Sequence, residues 1–383
     1  MTIHADSLIR CTRCVLPETY PGISFDDAGV CRYCQSYSSV FRAGKDELLK
    51  IVARHKESAV GQYDCLVGLS GGKDSSYLAY YAVKHLGLRV LAYTYDNGFM
   101  PEQTLTNIRN TVETLGIGHV LTRNDTVRLT APHVLSSWLR NPRAGMISFL
   151  CAGCQPSFQT GVAQTAVHHN IRLIMTGGGE PQTTYPTFAE RLLGVGETGG
   201  RVGNLAKMAG LVGELSRNPW YFASPRCVKV FLDDFCCRFA PRIPFFNRKI
   251  RHLDGAQVVE LFRFIDYSEP MILRTISEEL GWAKPAHSES AHRSDCTIHL
   301  IRQYLYNQTI GCTKTDDQLS CMIREDMLSR NEALDRLKKE DVFSDEFLSS
   351  MFGELGSTLP EVNEALARAR CRRNGHRGAR SAS

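Results

Sequence analysis

Hydrophobic and polar positions change period several times along the chain. Residues 46–58 have helical spacing, and 64–69 form a short apolar run that stops at Ser70-Gly71-Gly72. That run reads as a buried strand. Helical spacing returns over 74–85, a second apolar run covers 89–95, and 101–115 is a helix opening on proline. Residues 119–122 and 171–176 complete four predicted strands, the last ending in Gly177-Gly178-Gly179. Strands alternating with helices predict an α/β fold, a doubly wound parallel sheet covered on both faces. Ligands of such sheets lie beyond the carboxyl ends of the strands, where both glycine-rich segments fall.

The rest of the chain is less regular. Residues 194–251 are rich in Gly, Arg and aromatics and read as an insertion of helices and loops. Helical spacing resumes over 257–264 and 269–280. Residues 316–324 and 332–339 predict a helical pair, with Ser329-Arg330-Asn331-Glu332 as a capping box between them. The segments expected are a cysteine-rich module (1–45), the α/β domain (60–185), the insertion (186–255), a helical region (256–366) and a basic tail (367–383).

Composition narrows the class. Of 383 residues, 43% are hydrophobic and 22% charged, as in a soluble globular protein. No apolar run approaches the roughly 20 residues of a membrane helix, and the first ten residues do not resemble a secretory signal. A cytoplasmic protein with no membrane partner is expected. The net charge is +5, but residues 368–383 carry six arginines and no acid. The body is therefore near neutral, which argues against a nucleic-acid partner. The tail reads as a disordered end or as a contact to nucleic acid or acidic lipid. Large apolar helices near the C-terminus suit a homodimer.

Fourteen cysteines without a signal peptide point to metal or sulfur chemistry rather than disulfides. Cys11, Cys14, Cys31 and Cys34 form two C-x2-C pairs, the spacing of a closed tetrahedral zinc site. Four thiolates leave no open coordination position, so the expected role is structural, in a zinc-ribbon-like module. A second pair, Cys151-Ala152-Gly153-Cys154, precedes a predicted helix over 158–168. Cys65 lies in a predicted strand and reads as core.

Ser70-Gly71-Gly72-Lys73-Asp74-Ser75 sits between a strand and a helix. Its glycines let backbone N–H groups approach an anion, and the helix N-terminus adds a favourable dipole. Ser70 and Ser75 offer hydroxyls and Lys73 a positive charge. Asp74 can cap the helix or help hold Mg2+. The spacing is not that of a Walker A loop.

This hexapeptide resembles the SGGxDS loop of the PP-loop, or N-type, ATP pyrophosphatases. The resemblance implies a HUP-like domain that cleaves ATP between its α and β phosphates. The substrate's oxygen then takes AMP while the loop holds pyrophosphate. It also implies that Asp96, in Tyr95-Asp96-Asn97-Gly98, and Gly178 border the nucleotide; an Asn-Gly turn is the other reading of the former segment. Glu180 reads as a magnesium ligand or an ordinary loop acid.

Two further resemblances point to different chemistries. The segment around Cys11–Asp26 and Gly29-Val30-Cys31, with the region 311–334, resembles the N-acetyl sugar amidotransferase group. That implies nitrogen insertion, with ammonia from a separate glutaminase. The pair Cys151/Cys154 with a distant Cys296 resembles the set of iron–sulfur tRNA thiolation enzymes. That implies a 4Fe-4S cluster on three cysteines, with sulfur delivered through the free iron. Cys227, Cys236, Cys237, Cys312 and Cys321 compete with Cys296, which is preferred for its polar setting. A second structural metal or a persulfide on Cys151 or Cys154 is the other reading. His168-His169 reads as helix-terminal. One of His287, His292 and His299 could carry a proton beside Cys296.

The function expected is ATP-dependent adenylation of a carbonyl or amide oxygen on a small molecule, then replacement of that oxygen by sulfur from a donor. Lys73, Asp74, Cys151, Cys154 and Cys296 are the catalytic candidates. The alternatives are the sugar amidotransferase and a non-catalytic adenine-nucleotide binder. Expected cofactors are ATP, Mg2+, Zn2+ and the iron–sulfur cluster.

Overall fold

The structure, a computed structural model, describes residues 8–39, 42–178, 187–195, 200–239, 256–285, 295–340 and 343–380. Five parallel strands build its sheet: β1 Cys65–Gly68, β2 Val90–Asp96, β3 Gly118–Arg123, β4 Leu173–Thr176 and β5 Gln257–Glu260. Their order is β3-β2-β1-β4-β5.

The four predicted strands are present, and alternation along them sets the layers. Cys65, Val67 and Leu69 of the β1 segment join one core, with Val90 and Ala92 of β2 and Leu173 and Met175 of β4. Leu66, Leu91, Tyr93 and Ile174 point to the opposite core. The first core is closed by helices Lys45–Glu57, Lys73–Lys84, Glu102–Leu115 and Glu269–Leu280. The second is closed by Cys154–His168, through Val162 and Ala166. Both faces are covered, so the central strands β1, β2 and β4 are apolar on both sides.

One predicted helix is a correction. Residues 257–264 form β5 followed by a short 3-10 turn, Leu261–Arg263. Val258 and Val259 are β-branched, and the free edge of β4 offers pairing from Leu173↔Gln257 to Thr176↔Glu260. Pairing on a neighbour 84 residues away in the chain, from Leu173↔Gln257 to Thr176↔Glu260, overrides the local period.

A third core joins the N-terminal cysteine module to the C-terminal helices. Cys11, Leu16 and Tyr20 share it with Trp138, Ile301, Leu305 and Phe352. Helices Phe188–Leu192, Gly200–Arg217 and Pro225–Phe239 occupy the expected insertion. The capping box is formed: Glu332 accepts from the Ser329 amide at 2.9 Å, and Ser329 Oγ accepts from the Glu332 amide at 3.3 Å. The tail is a second correction. Helix Leu359–Arg380 runs through most of it. Arg368 donates to the Leu139 carbonyl at 2.7 Å and Arg370 to that of Gln308 at 3.2 Å.

Candidate active site and metal centre

Strand order reverses at β1, whose neighbours β2 and β4 lead to opposite edges. The crevice beyond its carboxyl end is where a parallel sheet takes a ligand. The 70–75 loop lies there. Gly71 has φ +78, and a Cβ on it would come within 2.7 Å of the Thr104 carbonyl oxygen. Only glycine fits that turn. Trp282 Nε1 donates to the Gly71 carbonyl at 2.9 Å and pins the loop from below. Ser70 Oγ and Ser75 Oγ are 3.2 Å apart, and Ser75 donates to the Gly72 carbonyl at 3.1 Å. Helix Lys73–Lys84 starts directly after Gly72 with no side-chain cap. Its first-turn amides and dipole therefore face the crevice.

Lys73 departs from its expected place. It is 2% exposed, and its ammonium bonds the Asp74 carboxylate at 2.8 Å and Tyr267 Oη at 2.7 Å. Tyr267 also donates to Asp74 at 3.2 Å. Both side chains are thus taken up by a buried network behind the loop, because Lys73 begins the helix on its core-facing side. Asp96 is likewise engaged: it accepts from the Gly98 amide at 2.7 Å and lies 3.7 Å from Arg123. The Asn-Gly turn is formed, and Asn97 rather than Asp96 faces the crevice. Gly178, at the end of β4, lies against Glu260. Glu180, His287 and His292 lie outside the described residues.

A cavity of about 350 Å³ opens beside the loop, lined by Ser70, Tyr95 and Asn97 from the strand ends. Cys151, Cys154 and Cys296 line the same cavity. Two local devices bring them there. Gly153, at φ +85, turns the chain between Cys151 and the helix that begins at Cys154. The Thr297 amide donates to the Phe99 carbonyl at 3.0 Å, which docks the start of helix Thr297–Ile310 on the 97–99 turn. Cys296 is the residue just before that helix. Asn97 Nδ2 then lies 3.7 Å from Cys154 Sγ and 3.4 Å from Cys296 Sγ. Arg302 Nη1 donates to Cys151 Sγ at 2.8 Å.

Burial pushes the Cys154 thiol up to about 12 and that of Cys296 up to about 11. Of the competing cysteines, Cys227 and Cys312 are buried away from this cavity, and Cys321 belongs to the metal centre described next. The side chains of Cys236 and Cys237 lie outside the described residues. Cys65 is core, as expected. His168 ends its helix and His169 packs on Tyr63, while His299 lines the cavity.

Three polar lining residues escaped the sequence reading as site residues: Asp295, Gln155 and Arg302. Arg302 had a faint signal. Cys296, His299 and Arg302 recur every three residues, one side of a helix.

The second centre is the quartet. The sulfurs of Cys11, Cys14, Cys31 and Cys34 all lie within 4.8 Å of one another, in buried surroundings. A tetrahedral ion with bonds of about 2.3 Å needs sulfur–sulfur edges of about 3.8 Å. Cys14 Sγ and Cys31 Sγ are 3.7 Å apart. The residues therefore fit a single tetrahedral metal ion. A sulfur hydrogen bond with Cys11 pulls Cys14 down to about 6, and the same contact pushes Cys11 up to about 12.

Four thiolates around a divalent ion carry net negative charge, and the C-terminal helices answer it. Arg324, 8% exposed, directs Nε at Cys34 Sγ (3.4 Å), Nη2 at Cys14 Sγ (3.7 Å) and Nη1 at Cys321 Sγ (3.6 Å). Arg330 Nε donates to the carbonyls of Cys11 and Cys14, both at 3.1 Å. Arg10 bonds Asp316 at 2.6 Å and Tyr20 bonds Asp317 at 2.9 Å. The module and helices Lys314–Arg324 and Arg330–Glu340 form one unit.

Among the described residues, no helix is long and apolar enough to cross a membrane. The chain matches no protein-family model and no curated protein. Solved structures that are distantly similar include three enzymes. The U34-tRNA thiolase NcsA from Methanococcus maripaludis with its 4Fe-4S cluster is 14% identical, over 83% of this chain and 86% of that one, with a TM-score of 0.31. The NH3-dependent NAD synthetase from Campylobacter jejuni is 11% identical, over 59% and 97%, with a TM-score of 0.26. The NMN synthetase from Francisella tularensis is 15% identical, over 57% and 97%, with a TM-score of 0.27. At such distances the fold rests on the sheet itself: a doubly wound parallel α/β domain with a phosphate-type loop at its switch point and a four-cysteine metal centre.

Proposed function

We propose that the protein is an ATP-dependent enzyme that adenylates a carbonyl or amide oxygen of a small molecule and replaces that oxygen with sulfur. One observation carries the sulfur reading. Three cysteines from chain positions 151, 154 and 296 line one cavity together with Ser70 of the loop.

The loop supplies the first half of the reaction. Its amides and the helix dipole hold the leaving pyrophosphate as the substrate's oxygen bonds to the α-phosphorus of ATP. Fixed donors aimed at developing charge supply most of the acceleration. The buried Lys73–Asp74–Tyr267 network keeps the loop rigid instead of touching phosphate. Mg2+ accompanies ATP. In the second half, sulfide from a separate donor bonds to the adenylated carbon and AMP leaves.

The cysteine trio fits an iron–sulfur cluster. Buried thiols are costly as free thiolates, so a persulfide nucleophile is disfavoured, whereas a metal replaces their protons. Cys151, Cys154 and Cys296 would hold the cluster, with Asn97 and Arg302 donating to their sulfurs. When bound, such a cluster supplies an iron with an open position for sulfide. The quartet is read as a structural zinc site, since four thiolates leave no open position.

The test is anaerobic purification with iron, acid-labile sulfide and zinc counted per chain, repeated on Cys151→Ala and Cys296→Ala. About four irons and one zinc, with iron lost in both variants, are expected. Zinc alone, unchanged in both variants, would sink the cluster. The same loop would then serve the sugar amidotransferase reading, with ammonia from a separate glutaminase.

A further inference from the structure

The cysteine cavity holds a charge that the adenylation chemistry does not use. Arg302 comes from helix Thr297–Ile310, and its Nη1 donates to Cys151 Sγ at 2.8 Å. Its Nε is buried with no hydrogen-bond partner. Its guanidinium carbon lies 5.8 Å from the centre of the Tyr306 ring, whose hydroxyl is also buried. Arginine does not give up its proton in proteins. A buried guanidinium with no anionic partner would be costly.

A cluster on three thiolates reverses that balance. It brings negative charge to the sulfurs of Cys151, Cys154 and Cys296, and Arg302 is the cation in contact with one of them. Asp295, the neighbour of Cys296, lines the same cavity beside Gly72 of the loop and supplies a carboxylate rather than a second cation. Asn97, which touches the other two sulfurs, offers hydrogen bonds but no charge.

We propose that Arg302 is the positioning residue of the three-cysteine site, holding Cys151 and offsetting the charge of the bound cluster so as to raise its reduction potential. This rests on the cluster reading above. Potential depends on net charge and on hydrogen bonds to the sulfurs. Removing a nearby cation disfavours the reduced, more negative state.

The experiment compares full-length wild type, Arg302→Met and Arg302→Lys, each purified anaerobically. Iron content, thermal midpoint and midpoint potential from visible and electron paramagnetic resonance titrations are read. In Arg302→Met the potential should move to more negative values, with iron equal to or below wild type and the melt preserved. Arg302→Lys should restore most of the potential. Should the Met variant not fold, Arg302→Gln gives the same reading, because it too removes charge. A neutral variant with wild-type iron and wild-type potential would overturn the inference and leave the cluster standing. Wild type without iron would overturn the cluster reading itself.

Discussion

The two cysteine centres of this chain solve opposite problems. The quartet is closed: four buried sulfurs lie within 4.8 Å of one another, and Arg324 and Arg330 seal it from the C-terminal side. The trio is open: its sulfurs border a cavity of about 350 Å³ beside the phosphate-type loop. The first joins the N-terminal module to helices Lys314–Arg324 and Arg330–Glu340, and the second lines an open cavity. Cysteine count alone does not separate them. Closure of the ligand set does, because a filled tetrahedron holds structure and an incomplete one leaves room for chemistry.

The largest effect should come from breaking the quartet. Cys31→Ala leaves three ligands and exposes the Arg324 charge inside a core. Structural metal sites contribute on the order of 10 kcal/mol to folding, so a loss above about 4 kcal/mol is expected, enough to unfold a marginal chain. A thermal melt with zinc counting checks this. An unchanged melt would mean the centre is not structural.

Next is Gly71→Ala. The turn at φ +78 and the Thr104 carbonyl leave no room for a methyl group. A stability loss of about 1–3 kcal/mol is expected. Pyrophosphate release should fall at least about 100-fold, as when a fixed anion donor is lost. A variant with normal release would detach the loop from ATP.

Cys154→Ser sharpens the contrast. Cys154 is only partly buried, at the edge of the core that joins the N-terminal module to the C-terminal helices, and serine is nearly isosteric with it, so stability should fall by no more than about 2 kcal/mol. Sulfur-containing product should disappear, while ATP binding by calorimetry persists. A collapse of the fold would erase the distinction between the centres.

The smallest effect is away from both. Arg89 bonds Asp64 at 2.7 Å through Nη2. Burial works against the Asp64 charge, but the hydrogen bonds from Arg89 outweigh it and hold the carboxyl below its usual range. A depressed carboxylate contributes stability above the unfolded pKa and loses it as pH falls through the folded one. Asp64→Asn should therefore lower the melting temperature slightly at pH 7. The difference from wild type should vanish in acid, below the carboxylate range. A difference that stayed constant with pH would assign the effect to packing.

Much was legible in one dimension. The loop is contiguous, so its glycines, serines and helix start sit together in the sequence. The quartet repeats a short spacing twice. The three central strands, β2, β1 and β4, are apolar runs because both of their faces are covered. What misled was local too. Val258 and Val259 belong to a strand because β4 has a free edge, and their β-branching is the one local sign of it. Lys73 sits in the loop but turns to Tyr267, which lies 194 residues away.

The sequence by itself therefore determined the features made by near neighbours: the α/β alternation, the loop, the C-x2-C pairs and the capping box. Only the tertiary structure brought Cys296 into one cavity with Cys151 and Cys154. It also replaced Asp96 with Asn97 at the crevice and set Arg302 against Cys151. Each of those choices depends on contacts between segments far apart in the chain, such as the docking of Thr297 on Phe99. Spacing records what a helix or turn can reach, and packing decides which distant side chain arrives there.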